Sequence, residues 1–376
     1  MSWRAPDHIT NTARATFGMV RADAPVYLAV LIYTIAGLLL LDVTDARDMA
    51  AHSLYFRQWT VMFLFLMPVV TLAIEAIYII HRFDNQRMLA FRRAYSPHRI
   101  GCLLSGMALL MGLMVFQGTF TSIKNVFPSI YHGFPYDRLQ ADIDAWLHFG
   151  TDPWRLLQPG LASEVVRRAI EWNYNVFWFI LCFGSLFFVA TSPRARRIRV
   201  RYLIVFMLVW VVCGNLLAGL FLSAGPAFYG AVTGDPARFA ELLAHLAHSG
   251  DAFSSAHSFQ NYLWTLYERE QAGFGSGISA FPSMHVALVA MNAFFLMDLS
   301  KRLGVAAFVY TGLIVASSVG LGWHYAIDGY VSIFVVAVLH YACKRAVPKA
   351  SASTAGLTPA PHLAPETAGS APVTAS

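Results

Sequence analysis

Residues 282–343 read PSMHVALVAMNAFFLMDLSKRLGVAAFVYTGLIVASSVGLGWHYAIDGYVSIFVVAVLHYAC. A helix that crosses a bilayer needs roughly 20 mostly apolar residues, because every backbone N–H and C=O must find its partner inside the segment. Three runs here come close to that length, 282–299, 303–321 and 326–343. Their connections are too short for anything but neighbouring antiparallel helices. Further toward the N-terminus the same pattern recurs at 25–41, 58–80, 99–121, 173–191 and 202–224. The fold class expected is therefore an all-α integral membrane bundle of about eight transmembrane helices. Composition agrees: 57% of residues are hydrophobic and only 13% charged, against about 25% charged in a soluble chain.

Lys and Arg accumulate in cytoplasmic loops, so their placement predicts orientation. Arg4, Arg14 and Arg21 precede the first run; Arg82, Arg87, Arg92, Arg93 and Arg99 follow the second; Arg194, Arg196, Arg197, Arg199 and Arg201 follow the fourth. Lys301 and Arg302, then Lys344, Arg345 and Lys349, complete the series. Both termini are expected in the cytoplasm. The net charge of +6 is spent on this asymmetry, which argues against a nucleic-acid partner. Cys102, Cys182, Cys213 and Cys343 all fall within or at the end of apolar runs, the pattern of packing residues and not of a disulfide framework. No cleaved signal is read near Met1.

Three regions follow: 1–98, a cytoplasmic segment with two accessory helices; 99–346, a six-helix catalytic domain; and 347–376, a disordered cytoplasmic tail rich in Ala, Pro, Ser and Thr. The long connections 122–172 and 225–281 carry amphipathic stretches such as Asp144-Ala145-Trp146-Leu147-His148-Phe149 and are expected to cap the outer face.

Chemistry-bearing residues gather at two of the outer helix ends. Phe281-Pro282-Ser283-Met284-His285 opens the sixth run and Gly322-Trp323-His324-Tyr325-Ala326-Ile327-Asp328 the eighth. Pro and Ser favour a helix start, where unpaired N–H groups and the dipole attract an anion such as phosphate. His324 and Asp328, four residues apart, share a face if the helix has begun by His324, and the carboxylate then fixes the imidazole tautomer. One histidine can attack phosphorus while the other protonates the leaving oxygen.

These residues resemble the later motifs of the type 2 phosphatidic acid phosphatase superfamily, Pro-Ser-x-His and His-x-x-x-Asp, and within it the inositol phosphorylceramide synthase-like (inositolphosphotransferase) branch. The resemblance covers about 120–343. It implies that His285 is the general acid, that His324 is a nucleophile forming a phosphohistidine, that Asp328 orients His324, and that neither metal nor cofactor takes part. The superfamily's first motif, Lys-x6-Arg-Pro, is absent around Lys124, and Ser318 stands where a third-motif arginine would be. Both departures, and Met284 in place of a glycine, are similar to the synthase branch, as is the faint match of Ser223-Ala224-Gly225-Pro226-Ala227-Phe228-Tyr229.

Phosphate needs fixed donors around it. Besides Ser283, Lys124 is the first candidate, followed by Arg138, Arg155 and Arg269. Glu75 is expected to find an interhelical partner, and Asp298 a local salt bridge with Lys301 or Arg302. Trp59 and Trp172 fit the interfacial aromatic belt.

The function expected is that of a metal-independent membrane lipid phosphotransferase or phosphatase acting at the non-cytoplasmic face. Its partners are a lipid phosphoester substrate, an alcohol or water acceptor, and membrane lipids. Transfer of a phosphorylated headgroup in sphingolipid metabolism is favoured over a lipid phosphate or polyprenyl pyrophosphate phosphatase. Two other classes compete. A metal-dependent hydrolase would use His285, His324 and Asp328 as zinc ligands, and metal analysis discriminates it. A transporter would place its functional charges near mid-membrane.

Overall fold

The computed structural model describes residues 5–83, 85–247 and 255–346, and these are mostly helical, with no strand among them. The tail expected from 347 onward lies outside the described residues. In chain order the main elements are α1 (Ala5–Ala22), α2 (Ala24–Val43), α3 (Arg47–Arg82), α4 (Arg87–Ala94) and α5 (Pro97–Tyr131). Next come α6 (Asp137–Leu147), α7 (Pro153–Leu161), α8 (Glu164–Thr191), α9 (Pro193–Leu220), α10 (Ala240–Ala247) and α11 (Ala256–Glu268). The chain closes with α12 (Met284–Leu299), α13 (Lys301–Gly320) and α14 (Ala326–Ala346).

Seven of these, α2, α3, α5, α8, α9, α13 and α14, are long and apolar enough to cross a membrane. They coincide with seven of the eight expected runs. The eighth, α12, is shorter: 16 residues rise about 24 Å, less than a hydrocarbon core of roughly 30 Å. It begins only at Met284, because Pro282 and the capping Ser283 precede it. On α2 and α3 large apolar side chains face outward, among them Ile32, Leu39, Phe65 and Val69, the surface that lipid would cover.

The 35-residue α5 is the axis against which α1, α2, α3 and α8 pack. A stripe of small polar residues on it finds partners on α3, as an apolar solvent requires. Ser122 Oγ accepts from the amide of Ala51 at 2.9 Å, Thr119 Oγ1 lies 2.9 Å from His52 Nε2, and Thr121 and Tyr55 share a hydrogen bond of 2.6 Å. Gly118 permits this closeness: a Cβ there would stand 2.9 Å from His52 Cα.

Helices α3, α8 and α9 each contain a π turn, at Thr60–Leu66, Asn173–Phe177 and Val212–Leu217. Such turns shift the register of the following residues by one position. At one end of the bundle the two long connections fold into α6, α7, α10 and α11. The other end holds ion pairs: Arg99 with Glu75 (2.6 Å), Arg199 with Asp23, and Arg201 and Lys344 with Asp298. Glu75 thus has its interhelical partner. Asp298 corrects its expectation, because it joins α9 and α14, with His340 Nε2 also 3.2 Å away, and not its own neighbours Lys301 and Arg302.

Candidate active site

His285 is the second residue of α12, and His324 lies in the turn just before α14. Backbone and hydroxyl bonds stitch these two helix starts together. The amide of Ser283 donates to the carbonyl of Asp328 at 3.3 Å, and the Ser332 hydroxyl lies 2.9 Å from the Ser283 carbonyl and 2.7 Å from that of Asp328. Any rotation of α14 would therefore carry α12 with it.

Asp328 is completely buried, and its Oδ2 accepts from His324 Nδ1 at 3.2 Å and from the Tyr325 amide at 3.0 Å. The contact does not arise from a shared helical face, since α14 begins after His324. Asp328 sits in the first turn and reaches back over the helix start, the geometry of a capping side chain. With Nδ1 engaged, Nε2 of His324 is the ring nitrogen left to react.

Two aromatic rings hold His285. Tyr174 stacks on it at 4.3 Å and 12°, while Trp178 lies 4.0 Å away and donates its Nε1–H to the His285 carbonyl at 2.9 Å. The π turn of α8 contains Tyr174 and immediately precedes Trp178. Nothing in sequence signalled this pair, which reads as ordinary aromatic residues at a span end.

Both histidines and Lys124 line one cavity of about 320 Å³ whose wall is rich in aromatic rings, and His285 lies within electrostatic reach of the other two groups. Among the described residues Lys124 is the only Lys or Arg lining it, no Asp or Glu does, and Lys124 makes no ion pair there. The cavity thus sets a single cationic group against an apolar, aromatic wall. Trp59 is 1% exposed and lines it together with Tyr55, so α3 is part of the cavity wall, and the interfacial-belt expectation for Trp59 is corrected. Trp172, by contrast, is half exposed, as that expectation requires.

The other phosphate-binding candidates stand elsewhere. The Ser283 hydroxyl accepts from the Val286 amide at 3.4 Å as the cap of α12, and Ser283 does not line the cavity. Exposed Arg138 donates to the Thr233 carbonyl, Arg155 pairs with Glu241 at 2.7 Å and stacks on Trp154, and exposed Arg269 ends α11. Nor is the start of α14 open to an anion as expected, because carboxylates already take its amides: Tyr325 donates to Asp328, and Ala326 and Ile327 to Asp144. Among the described residues no three of His, Cys, Asp and Glu are placed to hold a metal ion.

A protein-family model described as the PAP2 superfamily matches residues 140–342, more than half of the chain and the whole of the histidine-bearing region. No curated protein and no solved structure shows a significant match. Lys124, Tyr55 and Trp59 lie outside the matched stretch.

Proposed function

This chain belongs to the PAP2 superfamily, and from that premise we propose that it transfers phosphorylated groups between lipids through a phosphohistidine on His324. The observation that carries the reading is the convergence of His324, His285 and Lys124 on one cavity. Lys124 holds the phosphoryl oxygens. His324 Nε2 attacks phosphorus, the bond to the leaving oxygen breaks, and His285 delivers the proton that oxygen takes up. An acceptor hydroxyl then attacks the phosphohistidine, its proton passes to His285, and the P–N bond breaks. Asp328, through Nδ1, stabilises the charge that grows on the His324 ring.

Water as acceptor makes this a phosphatase, and an alcohol makes it a transferase. The aromatic wall favours the alcohol, since a dry cavity protects the phosphohistidine from hydrolysis. The absent Lys-x6-Arg-Pro motif and Met284 support the same choice and, with it, an inositol phosphorylceramide synthase-like activity. The excess of Arg and Lys near the opposite end supports an active site on the non-cytoplasmic face, with 99–346 as the catalytic region and α2 and α3 added to it.

The test is phosphate release or transfer from lipid phosphates by purified protein in EDTA, expected to fall about 10³-fold or more in His324→Ala. Full activity in that variant ends the proposal.

A further inference from the structure

Helix α6 turns inward the face that should face water. Asp137, Gln140, Ala141 and Asp144, spaced i, i+3, i+4 and i+7, are all at most 4% exposed, while Leu139, Ile143, Trp146 and Leu147 point outward. Two buried carboxylates on one stripe are costly unless each is fully hydrogen-bonded. Both are. Asp144 Oδ2 accepts from the Ala326 amide at 2.9 Å and Oδ1 from the Ile327 amide at 3.0 Å. Asp137 Oδ1 accepts from the Gly225 amide at 2.8 Å and the Tyr325 hydroxyl at 2.7 Å, and Oδ2 from the Ala224 amide at 2.7 Å. Gln140 adds a bond from Nε2 to the Phe221 carbonyl at 2.9 Å.

The groups gripped in this way surround His324. A helix start leaves four amides without partners, and α14 is preceded by Trp323, His324 and Tyr325, none of which caps as Ser or Asp would. Asp144 supplies that cap from another helix. The loop that Asp137 holds is pressed against the same turn: Gly225 has φ +94, a Cβ on it would stand 2.6 Å from the Trp323 carbonyl oxygen, and the Ala227 amide donates to the Gly322 carbonyl at 2.9 Å.

We propose that Asp144, backed by Asp137, is the positioning residue for the nucleophile, acting through the first turn of α14 on the Asp328–His324 pair. Neither carboxylate lines the cavity, so neither touches substrate. Asp328 Oδ2 can meet His324 Nδ1 only where the α14 start places it. Misplacing a reacting group by about 1 Å can cost on the order of 100-fold in rate.

The inference rests on the functional reading above, and the experiment separates the two. Full-length protein in detergent is assayed with radiolabelled dioleoyl phosphatidic acid in mixed micelles containing ceramide, for phosphate released to water or transferred to the alcohol. Asp144→Asn, which sets an NH₂ group against one of the two amides, is expected to lower kcat about 100-fold with KM changed less than about threefold. Asp142→Asn, on the same helix but 70% exposed, serves as the control and is expected to stay within about twofold. In an Asp328→Asn background, Asp144→Asn is expected to cost no more than about threefold further, because both act on one pair. An equal loss in both backgrounds would mean a merely structural role and would overturn the proposal.

Hydrogen exchange across 324–327 provides the second measurement, valid whatever the substrate. It is expected to accelerate at least tenfold in Asp144→Asn while the interior of α14 stays protected. Unchanged exchange there also overturns the proposal. A wild type that moves phosphate to neither water nor the alcohol while its exchange responds as described defeats the functional reading and leaves the positioning role standing.

Discussion

The cavity that holds the histidines and the far end of the bundle treat charge in opposite ways. At the end away from the histidines three acids each have a base beside them: Asp23 with Arg199, Glu75 with Arg99, Asp298 with Arg201 and Lys344. At the histidine end Lys124 enters the cavity with no counter-ion among the described residues, and Asp328 is paired only with the imidazole it orients. An ionisable group held in apolar surroundings is expensive, so ion pairing or full hydrogen bonding marks groups kept for architecture, and a cavity-lining group with neither, such as Lys124, is the one free to meet a ligand.

Substitutions at the two ends sharpen that contrast. Lys124→Met should lower kcat/KM for a lipid phosphate by about 10³-fold while leaving the melting temperature unchanged or raised, since a buried unpaired cation is removed. Steady-state kinetics with differential scanning fluorimetry checks both halves, and a destabilised Lys124→Met would show that the lysine is structural. Asp23→Asn should do the reverse. Arg199, 17% exposed, would lose its partner, costing about 3 kcal/mol of stability in a denaturation curve, with kcat/KM per folded molecule within about twofold of wild type.

Acid pH tests the same contrast at α6. Burial pushes the Asp137 carboxyl up to about 6, against the bonds from Ala224, Tyr325 and Gly225 that lower it, and the phenol of Tyr325 is itself raised well above the usual range by burial. As pH falls through about 6, protonation removes an acceptor from that set, so activity should drop about tenfold per unit below it. Stability from this one group moves the other way. Its folded-state value lies above the unfolded one, so the folded chain binds the proton more tightly, and the group's contribution declines as pH rises from about 4 to about 6. A pH–rate profile flat from 5 to 7 would remove Asp137 from any role at the site. The smallest effect belongs to the exposed pair of Asp42 and Arg47: Asp42→Asn should shift neither melting temperature nor rate measurably.

Much of this was legible in the chain, for reasons that differ by residue. Apolar runs are local, so all eight appear in sequence, but their ends do not: the helices expected at 58–80, 99–121 and 173–191 extend to Arg47–Arg82, Pro97–Tyr131 and Glu164–Thr191, because hydropathy marks the apolar middle of a helix and not its polar ends. His285, His324 and Asp328 were legible as motif residues and Lys124 as one of few basic residues on its side. Trp59 was not. A tryptophan near a span end looks the same in sequence whether it faces lipid headgroups or, as here, a cavity bounded by α5, α8 and α9. Asp144 misled most, since an acid beside Trp146 and Phe149 reads as the wet face of an amphipathic helix.

Sequence alone determined the apolar runs, seven of which are helices long enough to cross a membrane, and offered His285, His324 and Asp328 as candidates, because hydropathy and side-chain chemistry are properties of residues taken one by one or a few at a time. Tertiary structure alone decided which charges stay unpaired, that Tyr174 and Trp178 grip His285, and that Asp137 and Asp144 face inward. Those outcomes depend on contacts between residues about ninety to nearly two hundred positions apart. Their energies exist only once the helices have packed and water has been excluded between them.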